Sequence, residues 1–113
     1  IARFSFGGVD FLLMADAEKG EELSLVWRIE DLQSEVLKVG HHGSKTSSNP
    51  LFLEKVGPQY AIISVGTKNP YGHPHPEVIA NLLAAGAKIL RTDIDSRIEL
   101  RSDGKSLTAK SAK

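Results

Sequence analysis

The chain has 113 residues, of which 41% are hydrophobic and 25% charged, the ordinary balance of one globular domain with a single modest core. Fourteen basic and fourteen acidic side chains give a formal net charge of zero. The total charge therefore does not support nonspecific electrostatic binding of nucleic acid, although a local basic patch remains an alternative. The absence of cysteine excludes disulfides and thiolate metal sites, so any bound metal must use His, Asp, Glu or water.

Targeting signals are not evident in the sequence. No apolar run approaches the roughly 20 residues that cross a membrane, and no basic segment followed by an apolar one marks a signal peptide. The chain begins directly on a strand-like run, Ile1-Ala2-Arg3-Phe4, without Met. We interpret it as a soluble piece cut from a longer polypeptide.

The first predicted elements are a hairpin and a helix. Residues 3–6 and 9–14 are β-prone apolar runs, and Gly7-Gly8 between them supplies the positive φ angles of a tight turn. Apolar residues then recur at helical spacing from 17 to about 29. Trp27 is one of the side chains expected on the buried face of this helix.

The rest of the chain alternates predicted strands and helices. Asn49-Pro50 indicates a helix start, because Asn caps well and Pro suits the first helical position, and Gly57-Pro58 indicates its end. Asp103-Gly104 suits a type I′ turn between the last two strands. The other predicted elements are strands at 35–39, 60–65 and 88–90, a third helix at 76–85, and a final hairpin in which 97–101 pairs with 106–108. Their order predicts one α/β domain over residues 1–113.

The residues with chemical potential gather after the strands. All four histidines fall in two polar loops that directly follow apolar strands, His41 and His42 in one and His73 and His75 in the other. Asp16 ends the strand 9–14, in an equivalent place. In α/β sheets the loops at the carboxyl ends of the strands form the ligand crevice. A carboxylate and imidazoles at three strand ends suit a borderline metal such as Zn²⁺ or Mn²⁺.

Each of these features also has a purely structural interpretation. Asp16 precedes a helix and could cap it. A His-His pair in a loop is often solvent-facing, and His75 could cap the helix that follows it. Glu18, Glu21 and Glu22 are typical of a solvated helix face near the N-terminus. From spacing alone, a metal site is therefore one alternative among these.

Four segments resemble the signatures of one family. Residues 37–48, LKVGHHGSKTSS, resemble the LKVxHHGSxxSS signature of the metallo-β-lactamase domains of ComEC-type DNA-internalisation competence proteins, and residues 64–74 resemble their SVGxxNxYGHP. Residues 12–18, LLMADAE, are similar to the family's LLTGDAE, and Arg91-Thr92-Asp93 to its RTDxxG. The segments occur in the family's order and cover nearly the whole chain. The two histidine motifs are specific in combination, whereas the other two are weak alone.

The resemblance implies the C-terminal half of a four-layered αββα sandwich, in which metal is held at one edge between the sheets. It implies that Asp16 is a carboxylate bridging two metals, and that His41, His42 and His73 act as metal ligands or transition-state stabilisers. The family's first half carries an HxHxDH metal motif, which this chain lacks. The remaining ligands are therefore expected in the N-terminal half of the same domain, and the isolated chain is expected to be inactive.

The sequence departs from the family pattern at two further places. Met14-Ala15 stand where the family usually has Thr-Gly before the Asp, which keeps the carboxylate and changes the turn. Ser96 stands where the family often has Gly. Both differences are expected to alter local turn geometry.

Three functions are open at this point. The first is a metal-dependent hydrolase, a phosphodiesterase or nuclease that acts on a single DNA strand during competence-linked uptake, with a two-metal site that activates water. The second is a non-catalytic domain that guides or gates DNA in the uptake channel. The third is a free-standing secreted metallo-hydrolase unrelated to DNA. The first two imply DNA and the membrane channel of the parent protein as partners, and an extracytoplasmic or membrane-associated location through that parent.

A half-sandwich also predicts an uncovered sheet face. Leu12, Leu13 and Ile62, on strands 11–14 and 60–65, are the side chains expected to be bare. Exposed apolar patches of this kind usually mark an interface, so the chain is expected to self-associate. The alternative is that three helices wrap both faces of the sheet.

Overall fold

The computed structural model describes residues 1–66 and 72–112. Parts of the SVGxxNxYGHP segment, including Asn69 and Tyr71, lie outside the described residues, as does Lys113. The strands are β1 (Ala2–Phe6), β2 (Val9–Leu13), β3 (Val36–Lys38), β4 (Tyr60–Ile63), β5 (Lys88–Arg91), β6 (Ile98–Ser102) and β7 (Leu107–Ser111). The helices are α1 (Lys19–Arg28), α2 (Pro50–Val56), α3 (Pro76–Ala84) and a four-residue α4 (Thr92–Asp95).

Five strands form one mixed sheet, and the expected α/β class is confirmed. The strand order is β1-β2-β3-β4-β5. β1 pairs with β2 as the predicted antiparallel hairpin, while β2, β3, β4 and β5 run parallel. The predicted hairpin near the C-terminus is also present, as a separate antiparallel pair of β6 and β7. Because β2 to β5 are parallel, their carboxyl ends meet at one edge of the sheet.

The three longer helices pack on one face of the sheet. Leu12, Leu37 and Ala61 lie side by side on β2, β3 and β4, and all three are buried. Side chains from every longer helix lie in this core or pack against it: Phe52 and Leu53 from α2 and Val78 and Leu82 from α3 are buried in it, and the partly buried Leu25 and Val26 from α1 pack against it. The alternative in which the helices wrap both faces is therefore wrong.

The opposite sheet face is less exposed than expected. Val9, Val36 and Ile62 lie on it, since side chains alternate along a strand, and they are 2%, 2% and 8% exposed. The expectation that Leu12 and Ile62 are bare is wrong, because Leu12 packs under the helices and Ile62 is buried on the other side. Leu13 is half-buried. Two large exposed apolar side chains lie instead on β1, where Phe4 is 60% and Phe6 57% exposed.

The two hairpins meet at their turns. Gly8 N donates a hydrogen bond of 2.6 Å to Gly104 O. A Cβ atom added at Gly7, whose φ is +59°, would lie 2.5 Å from that same oxygen. Only glycine at this position allows the two backbones to approach so closely.

The helix boundaries follow their predicted caps in two of three cases. The Asn49 side chain accepts a hydrogen bond from Leu51 N, and Gly57 ends α2 in the left-handed conformation. His75 caps α3, and its Nδ1 accepts from Glu77 N at 3.2 Å. Asp16 does not cap α1, because the residue at that position is Glu18.

Three further expectations are corrected. Trp27 is 84% exposed, so it lies off the buried face of α1. Glu22 is 1% exposed, so it is not part of a solvated helix face. The β6–β7 connection is a four-residue loop in which Asp103 Oδ1 accepts from Lys105 N and Ser106 N at 2.9 and 2.7 Å. A type I′ turn needs a positive φ at both central residues, and Asp103, unlike Gly104, is not among the residues with a positive φ, so this turn does not form.

Within residues 1–66 and 72–112, no helix is long and apolar enough to cross a membrane.

Candidate metal centre

Three strand ends deliver the candidate site residues to one edge of the sheet. Asp16 lies in the turn after β2, and His41 and His42 lie in the turn Gly40–Gly43 after β3. The backbone ties these turns together, because His41 N donates a hydrogen bond of 2.8 Å to Ala15 O. Asp16 thus follows directly on the residue that anchors the His41 loop, and its side chain is exposed.

The second histidine loop packs against the first. The rings of His41 and His73 lie with their centroids 5.9 Å apart at an interplanar angle of 57°. His75 N donates to Gly43 O at 2.8 Å. A Cβ atom at Gly43 would lie 2.6 Å from Pro74 Cβ, so glycine is what lets the two loops touch. Three of the four predicted site residues, His41, His42 and His73, are therefore in neighbouring loops.

The backbone at this edge is strained. Ala15, His41 and His42 have φ angles of 54°, 49° and 54°, in the left-handed region that non-glycine residues rarely adopt. Such conformations cost on the order of 1–3 kcal/mol each and persist only where the surroundings enforce them. Three of them on two contacting turns are typical of a functional site.

The imidazole nitrogens have distinct surroundings. His42 Nδ1 lies 2.6 Å from Ser64 O, so this nitrogen carries the proton and donates to the carbonyl. A backbone carbonyl on one ring nitrogen is the usual partner that orients a metal-ligating histidine, whose other nitrogen then binds the metal. His41 Nδ1 is buried and has no hydrogen-bond partner among the described residues. Glu18 Oε1 lies 3.4 Å from it, too poorly aligned for a hydrogen bond.

The protonation of His73 suits a ligand. Burial first, and then the neighbouring rings of His41, His42 and His75, lower the pKa of His73 below its ordinary value. A lowered pKa keeps the imidazole neutral at neutral pH, and the neutral ring is the form that binds a metal. His73 is half-buried.

The donor set fits part of a metal centre. Imidazoles and a nearby carboxylate are the ligands that Zn²⁺ and Mn²⁺ take, and His42, whose Nδ1 donates to Ser64 O, has its Nε2 available for such an ion. Among the described residues, however, no three His, Asp or Glu side chains are placed to hold one ion together. The residues present therefore supply some of a metal's ligands and not a complete set.

A polar network supports the His41 loop. Thr46 Oγ1 donates to Glu18 Oε1 at 2.8 Å and lies 3.0 Å from Ser44 Oγ. Lys19 N donates to Thr46 O at 2.6 Å. The sequence prediction missed Glu18 because it treated this residue as solvated, although the Asp16-Ala17-Glu18 motif that it quoted contains it.

Glu22 is a second residue that the sequence did not reveal. Its carboxylate accepts hydrogen bonds from Ser48 N at 2.6 Å and Asn49 N at 2.8 Å, and so anchors the far end of the serine-rich loop. Burial raises the pKa of Glu22, while the two hydrogen bonds lower it. No local signal distinguishes Glu22 from Glu21, because only the orientation of α1 against the loop buries one of them.

The Arg91-Thr92-Asp93 segment lies at the same edge, where β5 ends and α4 begins. Thr92 Oγ1 donates to Val65 O at 2.9 Å and accepts from Val65 N at 2.8 Å, which clips this turn to the end of β4. The Arg91 guanidinium donates two hydrogen bonds to the Asp93 carboxylate, of 3.0 and 2.7 Å. These bonds from Arg91 hold the pKa of Asp93 below its ordinary value.

An open pocket lies beside the histidines. It has a volume of about 300 Å³ and is lined by Ser44, Lys45, Thr46, His73 and His75. A smaller pocket of about 110 Å³ shares Lys45 and Thr46 with it, and both Lys19 and Glu77 line that second pocket. The two pockets are therefore neighbours that share the residues Lys45 and Thr46.

Known proteins resemble most of this chain. It is 40% identical over 95 residues to ComE operon protein 3 of Bacillus subtilis, a match that covers 84% of this chain and 12% of that protein. It is 44% identical over 101 residues to competence protein ComA of Neisseria gonorrhoeae, covering 88% of this chain and 14% of the relative. Recombination protein 2 of Haemophilus influenzae is 36% identical over 89 residues, 79% of this chain and 11% of the relative.

The other comparisons found nothing. No protein-family model matches the chain, and no solved structure matches it. The chain spans 11–14% of the length of the relatives above, which is about one eighth. Over most of its length, the chain is homologous to a segment of proteins named for competence and recombination.

Proposed function

We propose that this chain is the C-terminal half of a metallo-β-lactamase-like hydrolase domain that acts on a DNA strand during competence-linked uptake. The observation that carries the proposal is the meeting of the two histidine loops, with the His41 and His73 rings 5.9 Å apart, beside the turn that holds Asp16. The names of the relatives favour a role in competence over a secreted hydrolase unrelated to DNA.

Four residues would contribute to the centre. His41, His42 and His73 would act as ligands or stabilise the transition state, and the Asp16 carboxylate would hold the metals in the shared-ligand role that the resemblance implies. A bound pair of Zn²⁺ or Mn²⁺ ions would supply an activated water and stabilise the leaving oxygen. The remaining ligands would come from the N-terminal half of the same domain, since this chain lacks an HxHxDH motif.

Lys45 would hold the phosphate backbone of the strand. It lines both of the neighbouring pockets beside the histidine loops, and Lys19 lines the smaller of them. Lysine is a good point-charge partner for phosphate. Two lysines would contact the phosphates locally. This does not need a net positive charge, which the chain does not have.

The remaining partners belong to the parent protein. The proposal places this half-domain beside its N-terminal half and the membrane channel of a longer polypeptide, in an extracytoplasmic or membrane-associated setting. It rests on the small share of the relatives that the chain covers, 11–14%.

The test compares this chain with the polypeptide extended upstream through the preceding half-domain. The extended protein should cleave a labelled single DNA strand in the presence of Mn²⁺ or Zn²⁺, and His73→Ala should reduce cleavage at least about 100-fold. His75→Ala is the matched control, because His75 caps α3 and is not a proposed ligand. It should retain most of the activity.

The chain alone should bind Zn²⁺ and Mn²⁺ weakly and cut no DNA, because a half-site orders its ligands for too few metal bonds. Submicromolar affinity of the isolated chain, or metal-dependent cleavage that Asp16→Ala removes, would contradict the half-site. An extended protein that binds the strand without cutting it in either metal would support the non-catalytic DNA-guiding alternative instead.

A further inference from the structure

The surroundings of His41 point to a residue that the proposed ligand set does not include. His41 Nδ1 is buried without a hydrogen-bond partner among the described residues, and a buried nitrogen in that condition costs free energy. Glu18 Oε1 lies 3.4 Å from this nitrogen. A carboxylate oxygen at that distance favours a proton on the nitrogen that faces it.

Glu18 is held in place by contacts on both sides. Its backbone N–H donates to Glu21 Oε2 at 3.1 Å, which fixes it at the start of α1. Its Oε1 accepts from Thr46 Oγ1 at 2.8 Å. Thr46 is itself fixed, since its carbonyl accepts from Lys19 N at 2.6 Å.

We propose that Glu18 is a positioning residue that holds His41 with its proton on Nδ1, so that Nε2 presents its lone pair to a metal. This inference rests on the proposed function, because it assigns His41 the role of a ligand. A helix cap alone does not require Glu18, since a short side chain caps at least as well. The Glu18 carboxylate takes part in the capping box of α1, and the length of its side chain also brings it to Thr46 and His41.

His41 and His42 would then be oriented by different partners. His42 donates from Nδ1 to the carbonyl of Ser64, while His41 faces a carboxylate. Both arrangements leave Nε2 as the nitrogen for a ligand bond, and a carboxylate partner also raises the basicity of the ring.

The test reads the tautomer of His41 by ¹⁵N NMR of the imidazole nitrogens in the metal-free chain, at a pH of about 8, where an ordinary imidazole is neutral. The native chain should show the proton on Nδ1. Glu18→Ser should move it to Nε2 or to a mixture. Serine keeps a good cap and forms a Ser-x-x-Glu capping box with Glu21, so the helix start is preserved.

Two further variants distinguish an effect of the Glu18 carboxylate on the His41 tautomer from a general change in the local structure. Glu21→Gln removes a carboxylate from the same helical turn and should leave the tautomer unchanged. Thr46→Val releases the Glu18 carboxylate from its anchor and should give an intermediate shift. In the extended domain, Glu18→Ser should weaken metal binding by about 10- to 100-fold, the usual effect of losing such a partner.

A native His41 with its proton on Nε2, or a tautomer unchanged in Glu18→Ser, would overturn the assignment of Glu18. Because the tautomer is read without metal, that result is separate from a failure of the extended domain to bind metal or cut DNA, which would overturn the proposed function.

Discussion

Glu22 shows how one buried side chain fixes a whole loop. Its carboxylate is 1% exposed and accepts hydrogen bonds from Ser48 N and Asn49 N. Ser48 is itself buried and has a φ of 62°, a conformation that the loop keeps only if its surroundings enforce it. The two bonds to Glu22 are part of that enforcement.

Removing this carboxylate should destabilise the chain strongly. Glu22→Ala leaves the buried Ser48 N–H and the part-buried Asn49 N–H without partners, at about 1–3 kcal/mol each, so we expect a loss of about 2–6 kcal/mol in the free energy of unfolding. Urea denaturation measures it. Glu22→Gln keeps one acceptor oxygen and should lose about half as much.

The control for this substitution is Glu54→Ala on α2, an exposed carboxylate, which should change the free energy of unfolding by less than about 0.5 kcal/mol. Equal effects at the two positions would contradict the anchoring role of Glu22.

At the scale of elements, the contact between the two histidine loops is what brings the candidate site residues together. The turn Gly40–Gly43 and the segment before α3 touch at Gly43, where an added Cβ would lie 2.6 Å from Pro74 Cβ. Gly43 also has a φ of +78°. This single glycine therefore determines whether the His41 and His73 rings can lie side by side.

Gly43→Ala should separate the two loops. The left-handed backbone costs alanine about 1–2 kcal/mol, and the collision with Pro74 forces the loops apart. We expect the free energy of unfolding, measured by urea denaturation, to fall by about 2–5 kcal/mol in total, and the nuclear Overhauser contact between the His41 and His73 rings to be lost.

Gly20→Ala is the matched control, because nothing lies within 4 Å of its added Cβ. Alanine in helix α1 should stabilise the chain by about 0.5–1 kcal/mol. A Gly43→Ala chain with native stability and an unchanged ring contact would contradict the importance of this approach.

The sequence predicted those elements whose signals are local. Asn49-Pro50 and Gly57 bounded α2 as expected, since caps depend on the residues at the helix end. The Asp16 cap failed, because the chain stays in a turn for two more residues and Glu18 caps instead. Trp27 failed because helical spacing alone does not say which of several apolar stripes faces the sheet.

The candidate site was predictable only in outline. Parallel strands bring their carboxyl ends to one edge, so the sequence could place Asp16 and the two histidine loops together. The ring contact of His41 with His73 depends on Gly43 and Pro74, and the position of Glu18 depends on Thr46, a residue 28 positions away. Contacts of that range follow from packing and not from spacing.

For the molecule as a whole, β1 is an outer strand of the sheet that carries two large exposed apolar side chains. All five residues of β1 are exposed, and Phe4 and Phe6 lie on the same face, opposite the helices, as their pairing with Phe11 and Val9 requires. An outer strand also presents unpaired backbone groups, which can pair with another strand. This edge is where we place the interface that the half-sandwich implies.

The chain should therefore self-associate through β1 when its proposed N-terminal half is absent. Sedimentation velocity at several concentrations should give a weight that rises above 12.3 kDa. The double substitution Phe4→Thr and Phe6→Thr keeps strand propensity and removes the exposed aromatic pair, so it should restore the monomer. Trp27→Gln, which removes an aromatic side chain that is 84% exposed on α1, should leave association unchanged. A monomer at every concentration, or equal loss of association in both variants, would show that β1 is not the interface.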